Sequence, residues 1–375
     1  MKIGIVCYPT YGGSGVIATE LGLGLARNGH EVHFITYKKP ARLTGFHANV
    51  YYHEVDTQSY PLFEFTPYET ALASKLTYVI KYEKLDILHV HYAIPHASVA
   101  YLAKQILKKE GINIPFITTL HGTDITLVGN DSTYSPLVTF GINESDAVTS
   151  VSESLKKATQ ISFDITNPIE VIPNFIDFAR FQRKNKDHFR KFIAPTNEKI
   201  IIHTSNFRKV KRVEDVLYIF GLISEKIPSK LLMVGDGPDR ARCEEICREN
   251  HLCDNVTFLG KQDAVEELLA VSDLFLMPSE QESFGLAALE AMACRVPVVS
   301  SNAGGLPEVN EQGVTGYLCE IGDIVNMAQR SIEILSDEEK LLEFSNNAYR
   351  KAREFDLVKI LPMYENLYHR VLMNQ

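Results

Sequence analysis

Hydrophobic and polar positions along the chain alternate between two periods, and the two patterns follow each other repeatedly. Residues 2 to 8 are apolar and rich in β-formers, and residues 16 to 27 have apolar side chains at helical spacing, up to Gly29, which ends the helix. The same alternation predicts strands at 31 to 37, 85 to 91 and 115 to 120, with helices at 69 to 83 and 97 to 109. Strands that alternate with helices predict a parallel, doubly wound sheet.

The pattern restarts in the second half of the chain, after a polar and basic stretch that reaches residue 197. Strands are predicted at 199 to 207, 230 to 235, 255 to 260, 273 to 277 and 297 to 300, with helices between them and two more helices at the end. The predicted fold is α/β, with two doubly wound Rossmann-like domains that face each other across a cleft. The first domain is expected at 1–170 and the second at 171–356, with a C-terminal helix at 357–375 that packs back on the first.

Composition limits the classes of partner. The 375 residues are 45% hydrophobic and 23% charged, which is typical of a globular protein. The formal net charge of -9 excludes a general attraction to nucleic acid or to an anionic membrane, so an anionic ligand needs a local basic cluster. Apolar runs stay below the ~18 residues of a membrane span, and the start does not resemble a signal peptide, so we expect a cytoplasmic protein. A homo-oligomer is left open.

A glycine-rich segment, Gly12-Gly13-Ser14-Gly15, follows the first strand and opens a helix. Glycines allow the backbone to approach a ligand, and the N–H groups of a helix N-terminus bind anions. Residues 13 to 18 also fit the dinucleotide pattern GxGxxA, but Lys38 lies near the position where that pattern expects an acidic residue. This weakens NAD binding and leaves an NADP-dependent oxidoreductase as a distant alternative.

Cations follow the first strand of the second domain, in the segment from 205 to 212. In an acidic protein this cluster is suited to phosphate. We expect Arg208 and Lys211, which lie within one turn of each other, to bind the ligand, and Lys209 and Arg212 to be solvated.

Two carboxylates, Glu282 and Glu290, lie eight positions apart at the start of a predicted helix from 285 to 294. A carboxylate on an apolar helical face needs hydrogen-bond donors, which sugar and ribose hydroxyls supply. The backbone N–H groups of Phe284, Gly285 and Leu286 at the helix start suit a diphosphate. The alternative roles are a helix cap for Glu282 and half of an ion pair for Glu290.

Histidines form the other candidates for chemistry. His121 follows a strand and precedes a glycine and an acid, so we expect it to be functional. A metal site at His89, His91 and His96 is unexpected, because neighbouring strand positions alternate faces and carboxylates are not spaced with them. The chain contains no Asp-x-Asp pair, which argues against a metal-chelated nucleotide. We therefore expect neither a metal nor a cofactor.

The motifs together resemble the retaining glycosyltransferases of family four, which have two Rossmann-like domains. The family's two glutamates, separated by seven residues, match Glu282 and Glu290. Residues 171 to 177 resemble the family's hinge, and the glycine loop and residues 235 to 237 match as well. The resemblance implies an acceptor-binding first domain and a nucleotide-sugar-binding second domain. A related enzyme with an inositol phosphate or lipid-linked acceptor, or a sugar-nucleotide sensor without activity, remain alternatives.

Segments 7 to 15, 91 to 96, 121 to 124 and 205 to 212 are similar to the malate-specific subfamily of bacillithiol biosynthesis. This similarity implies UDP-N-acetylglucosamine as the donor, L-malate as the acceptor and retention at the anomeric carbon. Asn206 stands where the wider family has a diphosphate-binding arginine. The roles implied are catalysis for His121, Lys211 and Glu282; donor binding for Gly15, Arg208, Lys211, Gly235, Ser283, Phe284, Gly285, Leu286 and Glu290; and acceptor binding for Gly13, Ser14, Tyr92, Thr123 and Asn206.

Overall fold

A computed structural model describes residues 1–57, 66–127, 129, 131–182 and 187–374. The chain forms two compact units: Met1–Phe175 together with Leu357–Gln375 is unit 1, and Ile176–Asp356 is unit 2. The sequence-based interpretation places the boundaries after residues 170 and 356.

Unit 1 contains a parallel sheet whose seven described strands have the order β3-β2-β1-β4-β5-β6-β7. The strands are β1 (Lys2–Val6), β2 (Glu31–Thr36), β3 (Val50–Glu54), β4 (Ile87–His91), β5 (Phe116–Leu120), β6 (Ala147–Ser150) and β7 (Ile169–Val171). The helices are α1 (Gly13–Arg27), α2 (Tyr68–Glu83), α3 (Ser98–Lys108), α4 (Ser135–Asn143) and α5 (Glu153–Ser162). The predicted doubly wound sheet is confirmed, and β3, β6 and β7 extend it beyond the predicted strands.

The last helix, α14 (Leu357–Met373), belongs to unit 1 although it follows unit 2 in the chain. Its Leu361 lies against Gly24 of α1, where an added Cβ would be 3.3 Å from the leucine Cδ2. Tyr368 is fully buried, and its hydroxyl lies 2.7 Å from His89 Nδ1. The apolar face of α14 therefore completes the core of unit 1.

Unit 2 contains a second parallel sheet, with six described strands in the order β10-β9-β8-β11-β12-β13. The strands are β8 (Lys199–Ser205), β9 (Ser229–Gly235), β10 (Val256–Gly260), β11 (Leu274–Met277), β12 (Val298–Ser301) and β13 (Gly316–Cys319). The helices are α6 (Asp187–Ile193), α7 (Val213–Ser224), α8 (Arg240–Glu249), α9 (Val265–Leu269), α10 (Leu286–Ala293), α11 (Leu306–Val309), α12 (Ile324–Leu335) and α13 (Glu338–Ala352). This strand order is that of a Rossmann fold, so the predicted fold class is confirmed for both units.

Each sheet reverses its strand order at one place, between β1 and β4 in unit 1 and between β8 and β11 in unit 2. Ligands of open α/β sheets bind outside the carboxyl ends of the strands at such a switch point. The segments that follow these four strands are therefore the first places to look for a site. In the described part of the chain, every helix is too short or too polar to cross a membrane.

Candidate active site

The glycine segment after β1 forms the first turn of α1, because the helix begins at Gly13. The sequence analysis expected the helix to start at Val16, after a glycine loop, so this prediction was wrong by three residues. Among the described residues no side chain caps this helix, which leaves the first-turn N–H groups available for an anion. The structure also requires glycine at position 15, because an added Cβ on Gly15 would lie 2.5 Å from the Tyr8 carbonyl oxygen.

The segments after β4 and β5 are joined by the buried carboxylate of Asp124. It accepts hydrogen bonds from the backbone N–H groups of Ala93 (2.9 Å), Gly122 (2.9 Å) and His121 (3.3 Å). Burial raises the pKa of Asp124 to about 6, although these hydrogen bonds oppose the rise. Sequence reasoning quoted Asp124 only as part of a motif and missed its role in fixing the backbone beside His121.

Tyr92 stands at the end of β4 with φ of 89°, which is unusual for a residue with a side chain. Its N–H donates to the Thr119 carbonyl at 2.9 Å. The N–H of the next residue, Ala93, donates to the Asp124 carboxylate. Backbone conformations of this kind often occur at functional sites, where the surrounding structure holds them. Thr123 is exposed at the start of the short turn Thr123–Leu127.

His121 is partly buried and pairs with a second histidine of the sheet. Its Nε2 lies 2.8 Å from Nδ1 of His91, and burial is the main reason that the pKa of His121 falls to about 3. The ring is therefore neutral near pH 7 and can act as a hydrogen-bonding group.

Contrary to the expectation that the histidines of β4 point to different faces, two of them lie together. His89 and His91 are two positions apart, so they share a face of β4, and their ring centroids are 4.5 Å apart. Both nitrogens of His89 have partners, at Tyr368 Oη (2.7 Å) and Thr119 Oγ1 (2.6 Å). Within the described residues, no group of three His, Cys, Asp or Glu side chains is arranged to hold a metal ion.

In unit 2 the segment after β8 presents polar side chains around one buried aromatic residue. Asn206 and Arg208 are exposed, whereas Phe207 is fully buried with φ of 34°. Lys211 closes the short turn Lys209–Lys211 and forms an ion pair with Glu282, which follows β11. The sequence analysis gave Lys211 and Glu282 separate ligands, and in the structure they neutralise each other.

The two other cations of the basic segment differ in their contacts. Arg212 donates from Nε to Asp215 Oδ2 at 2.6 Å, so its charge is engaged within the fold. Lys209 is exposed on the same short turn as Lys211. It therefore provides a neighbouring cation against which Lys211 can be compared.

Glycines allow the segments after β8 and β9 to approach each other closely. An added Cβ at Gly235 would lie 1.8 Å from the Ser205 carbonyl oxygen, and one at Gly237 would lie 2.1 Å from that of Asn206. The Phe207 carbonyl also accepts from the Asp239 N–H at 3.0 Å. Gly235, predicted to bind the donor, thus has the further role of shaping the turn that carries Asn206.

The backbone of the segment from Glu280 to Glu282 is held from two sides. The Glu280 N–H donates to the Val210 carbonyl at 2.8 Å, and the Gly305 N–H donates to the Glu282 carbonyl at 2.9 Å. Gly304 has φ of 55°, and an added Cβ there would lie 1.9 Å from the Glu282 carbonyl oxygen. The available signal in the sequence is the glycine pair Gly304-Gly305, which follows a buried strand.

The helix that follows Glu282 starts at Leu286, with Gly285 as its N-cap at φ of 96°. No side chain among the described residues caps it, so its first N–H groups suit an anion. Phe284 is buried and meets the ring of Phe355 edge-on at 5.5 Å. Ser283 and Leu286 are partly buried, and Glu290 is buried inside the helix.

The predicted site residues thus form two groups. Unit 1 holds Gly13, Ser14, Gly15, Tyr92, His121 and Thr123 near its switch point, and unit 2 holds Asn206, Arg208, Lys211, Gly235, Glu282, Ser283, Phe284, Gly285, Leu286 and Glu290 near its own. The unit 2 group combines two cations, two carboxylates and an uncapped helix start. That combination is chemically suited to a sugar linked to a diphosphate.

Comparison with protein-family models gives one match in each half of the chain. Residues 11–180 match the model for Glycosyltransferase Family 4, and residues 184–351 match the model for glycosyl transferases group 1.

Two curated relatives differ in how much of the chain they match. The chain is 49% identical to the N-acetyl-alpha-D-glucosaminyl L-malate synthase of Bacillus anthracis, over 99% of this chain and 97% of the relative. It is 28% identical to the D-inositol 3-phosphate glycosyltransferase of Mycolicibacterium smegmatis, over 68% of this chain and 60% of that protein.

Solved structures share the fold at lower identity. Sucrose-phosphate synthase from Thermosynechococcus elongatus superposes with a TM-score of 0.84 at 21% identity, with both chains fully covered. Anabaena HepE in complex with UDP-glucose gives a TM-score of 0.82 at 22% identity, also with full coverage of both chains.

Proposed function

The chain belongs to the glycosyltransferases, and from this premise we propose that it transfers N-acetylglucosamine from UDP-N-acetylglucosamine to the hydroxyl of L-malate. The reaction would retain the α configuration and would be the first step of bacillithiol biosynthesis. The observation that carries the proposal is the full-length match, at 49% identity, to a protein named for this product.

The donor half of the proposal rests on unit 2. Lys211, Arg208 and the N–H groups at the start of α10 would stabilise the negative charge that grows on the departing UDP. Glu282 would bind hydroxyls of the sugar and Glu290 those of the ribose. Because Lys211 is ion-paired with Glu282, a bound donor would sit where the lysine can reach a phosphate oxygen and the carboxylate can reach a hydroxyl.

The acceptor half rests on unit 1 and on Asn206. Malate carries two carboxylates, so it needs several hydrogen-bond donors. The uncapped N–H groups of Gly13 and Ser14 at the start of α1 supply backbone donors, and Tyr92, Thr123 and Asn206 supply side-chain groups. His121 would orient the sugar near the reacting carbon.

The proposed mechanism is a front-face displacement without a covalent enzyme intermediate. The bond from the anomeric carbon to the UDP oxygen breaks, the malate hydroxyl attacks from the same face, and the departing phosphate accepts the hydroxyl proton. Positioning and charge stabilisation would supply most of the acceleration. We propose that protein cations and N–H groups, rather than a metal ion, balance the diphosphate charge.

The test is the release of UDP from UDP-N-acetylglucosamine by the purified protein, with and without L-malate, in buffer that contains a metal chelator. Release that depends on malate and persists with chelator is expected. No release with malate, but release with inositol phosphate, would overturn the acceptor and keep the donor. Malate-dependent release that stops with chelator and returns with a divalent cation would overturn only metal independence.

A further inference from the structure

His91 is a buried side chain for which the reaction proposed above has no use. It ends β4 beside β5, where its Cα is in register with that of Thr119, two residues before His121. Its exposed fraction is 0%, and its ring stacks on His121 with centroids 5.1 Å apart and planes 25° apart. Nδ1 of His91 and Nε2 of His121 are 2.8 Å apart.

The short contact fixes how the two rings share protons. Burial lowers the pKa of both histidines, well below the usual value for His91, so both rings are neutral near pH 7. A neutral imidazole has one N–H and one lone pair, and a hydrogen bond needs one of each. Either His91 donates from Nδ1 to Nε2 of His121, or His121 donates from Nε2 to Nδ1 of His91.

The surroundings of His91 Nε2 decide between the two arrangements. This atom is buried without a hydrogen-bond partner among the described residues. The neighbouring histidine of the strand cannot serve it, since both nitrogens of His89 are engaged elsewhere. If His91 accepted at Nδ1, its proton would sit on Nε2 as an orphaned buried N–H, which is rarer in proteins than an orphaned acceptor.

His96 provides an internal precedent for that choice. Its Nδ1 lies 2.5 Å from the His91 carbonyl oxygen, which can only accept, so Nδ1 carries the proton. Its Nε2 is therefore a bare lone pair, and this atom too is buried without a partner among the described residues. An unprotonated Nε2 is thus already accommodated in the same cluster.

We propose that His91 is a positioning residue that donates from Nδ1 to Nε2 of His121 and so fixes the proton of His121 on Nδ1. His121 then presents an N–H to substrate oxygen atoms, and its Nε2 is not available as a base. The inference about substrate rests on the proposed function, whereas the protonation of His121 does not.

The direct test is nuclear magnetic resonance of protein labelled with ¹⁵N in the histidine rings, at pH 7.5. Long-range ¹H–¹⁵N correlations separate protonated from unprotonated ring nitrogens, and His121→Asn identifies the His121 signals by their loss. We expect His121 to carry its proton on Nδ1. A proton on Nε2 in the unmodified protein would overturn the proposal.

Two variants of His91 separate positioning from packing. His91→Asn places an amide nitrogen near the position of Nδ1 and can still donate, so His121 should keep its tautomer. His91→Phe keeps an aromatic ring without a donor, so the unprotonated Nε2 of His121 should lose its hydrogen bond and its ¹⁵N resonance should move downfield. An unchanged His121 Nε2 resonance in His91→Phe would count against the proposal, and thermal unfolding of each variant checks that it is folded.

Turnover adds an independent readout. We expect His91→Phe to lower kcat roughly 10- to 100-fold, by analogy with the loss of an outer partner of a metal-bound histidine, with little change in KM for the UDP-sugar. His91→Asn should recover most of that loss, and equal losses in both variants would indicate a packing role only. A protein with Nδ1–H on His121 but without malate-dependent UDP release would keep this inference and overturn the proposed function.

Discussion

The two units share a parallel sheet with a reversal of strand order, yet they place opposite kinds of chemistry at that reversal. Unit 2 has a partly exposed ion pair, Lys211 with Glu282, beside an exposed Arg208. Unit 1 has neutral histidine rings and the buried carboxylate of Asp124, at or just after the carboxyl ends of its strands. The fold alone therefore does not determine the function, and the residues at the strand ends do.

The difference has a physical consequence for each unit. Unit 2 keeps its charges as an ion pair and an exposed arginine, so it can offer them directly to a charged diphosphate. Neutral buried rings keep a fixed geometry but must be protected from protonation. The chemistry of unit 1 should therefore depend on pH through its stability, and that of unit 2 should depend on individual charged side chains.

The largest expected effect is a loss of stability of unit 1 in mild acid. Among the described residues, burial lowers the pKa of six histidines in unit 1 and of one in unit 2: His33, His53, His89, His91, His96 and His121, against His203. Below pH 6.5 the unfolded chain binds protons that the folded unit does not, so the free energy of unfolding falls as pH falls. Each fully buried histidine contributes up to about 1.4 kcal/mol per pH unit until its folded pKa is reached.

Asp124 acts in the opposite direction over part of that range. Its folded pKa of about 6 lies above the unfolded value, so its protonation between pH 6 and 4 favours the folded state. One carboxyl group offsets only part of the histidine effect. We expect amide hydrogen exchange, corrected for intrinsic rates, to show a loss of protection on the order of 5 kcal/mol in unit 1 between pH 7 and pH 5, and less in unit 2.

A matched variant sharpens this test. His33 lies on β2, with its ring stacked on Tyr51 at 4.8 Å. His33→Phe keeps a ring at this position and removes one titrating group, so the acid sensitivity of unit 1 should decrease. Equal losses of protection in the two units, with no change in the variant, would contradict the contrast drawn here.

Removal of the Lys211 side chain should have the next largest effect, which is on turnover. Lys211→Ala should lower kcat by roughly 10²- to 10³-fold, as expected when one group that stabilises developing charge is lost. The loss of turnover should exceed the loss of stability, although Glu282, whose side chain is 9% exposed, is left without its partner and some destabilisation is expected.

Lys209→Ala is the matched control for that experiment, since Lys209 is an exposed cation on the same turn. It should retain turnover close to that of the unmodified enzyme. If both variants lost activity equally, the basic segment would act as a diffuse charge and not through Lys211. UDP release and thermal unfolding, measured together, separate these outcomes.

Sequence patterns predicted most of the fold because a doubly wound sheet has a strong periodic signal. They missed β3, where Tyr51 is exposed on an edge strand and the hydrophobic pattern is weak, and they also missed β6, β7 and β13. The start of α1 was misplaced because glycines usually break helices, whereas Gly15 is required here by its approach to the Tyr8 carbonyl.

For the site, the sequence yielded residue types but not their partners. The positions of Lys211 and Glu282 were predicted, but their ion pair depends on β8 and β11 being neighbours, which a strand order must supply. The roles of Asp124 and His91 depend on contacts between residues about 30 positions apart. The assignments of all the site residues to substrate groups stay predictions.

The smallest expected effect concerns the backbone that supports Glu282. Two glycine variants separate the effect of conformational strain from that of a steric clash. Gly304 and Gly313 both have positive φ, 55° and 71°, so alanine at either position costs about 1 kcal/mol of conformational strain. Only at Gly304 would the new Cβ meet an atom, the Glu282 carbonyl oxygen at 1.9 Å, while nothing lies within 4 Å at Gly313.

Gly304→Ala should therefore displace Glu282 and lower kcat roughly tenfold, since small misplacements of reacting groups are costly. In Gly313→Ala, strain should lower the free energy of unfolding by a similar amount, and kcat should be unchanged. If the two variants had the same kcat, the Glu282 backbone would not need this support, and the ion pair with Lys211 alone would be enough to hold the carboxylate in place.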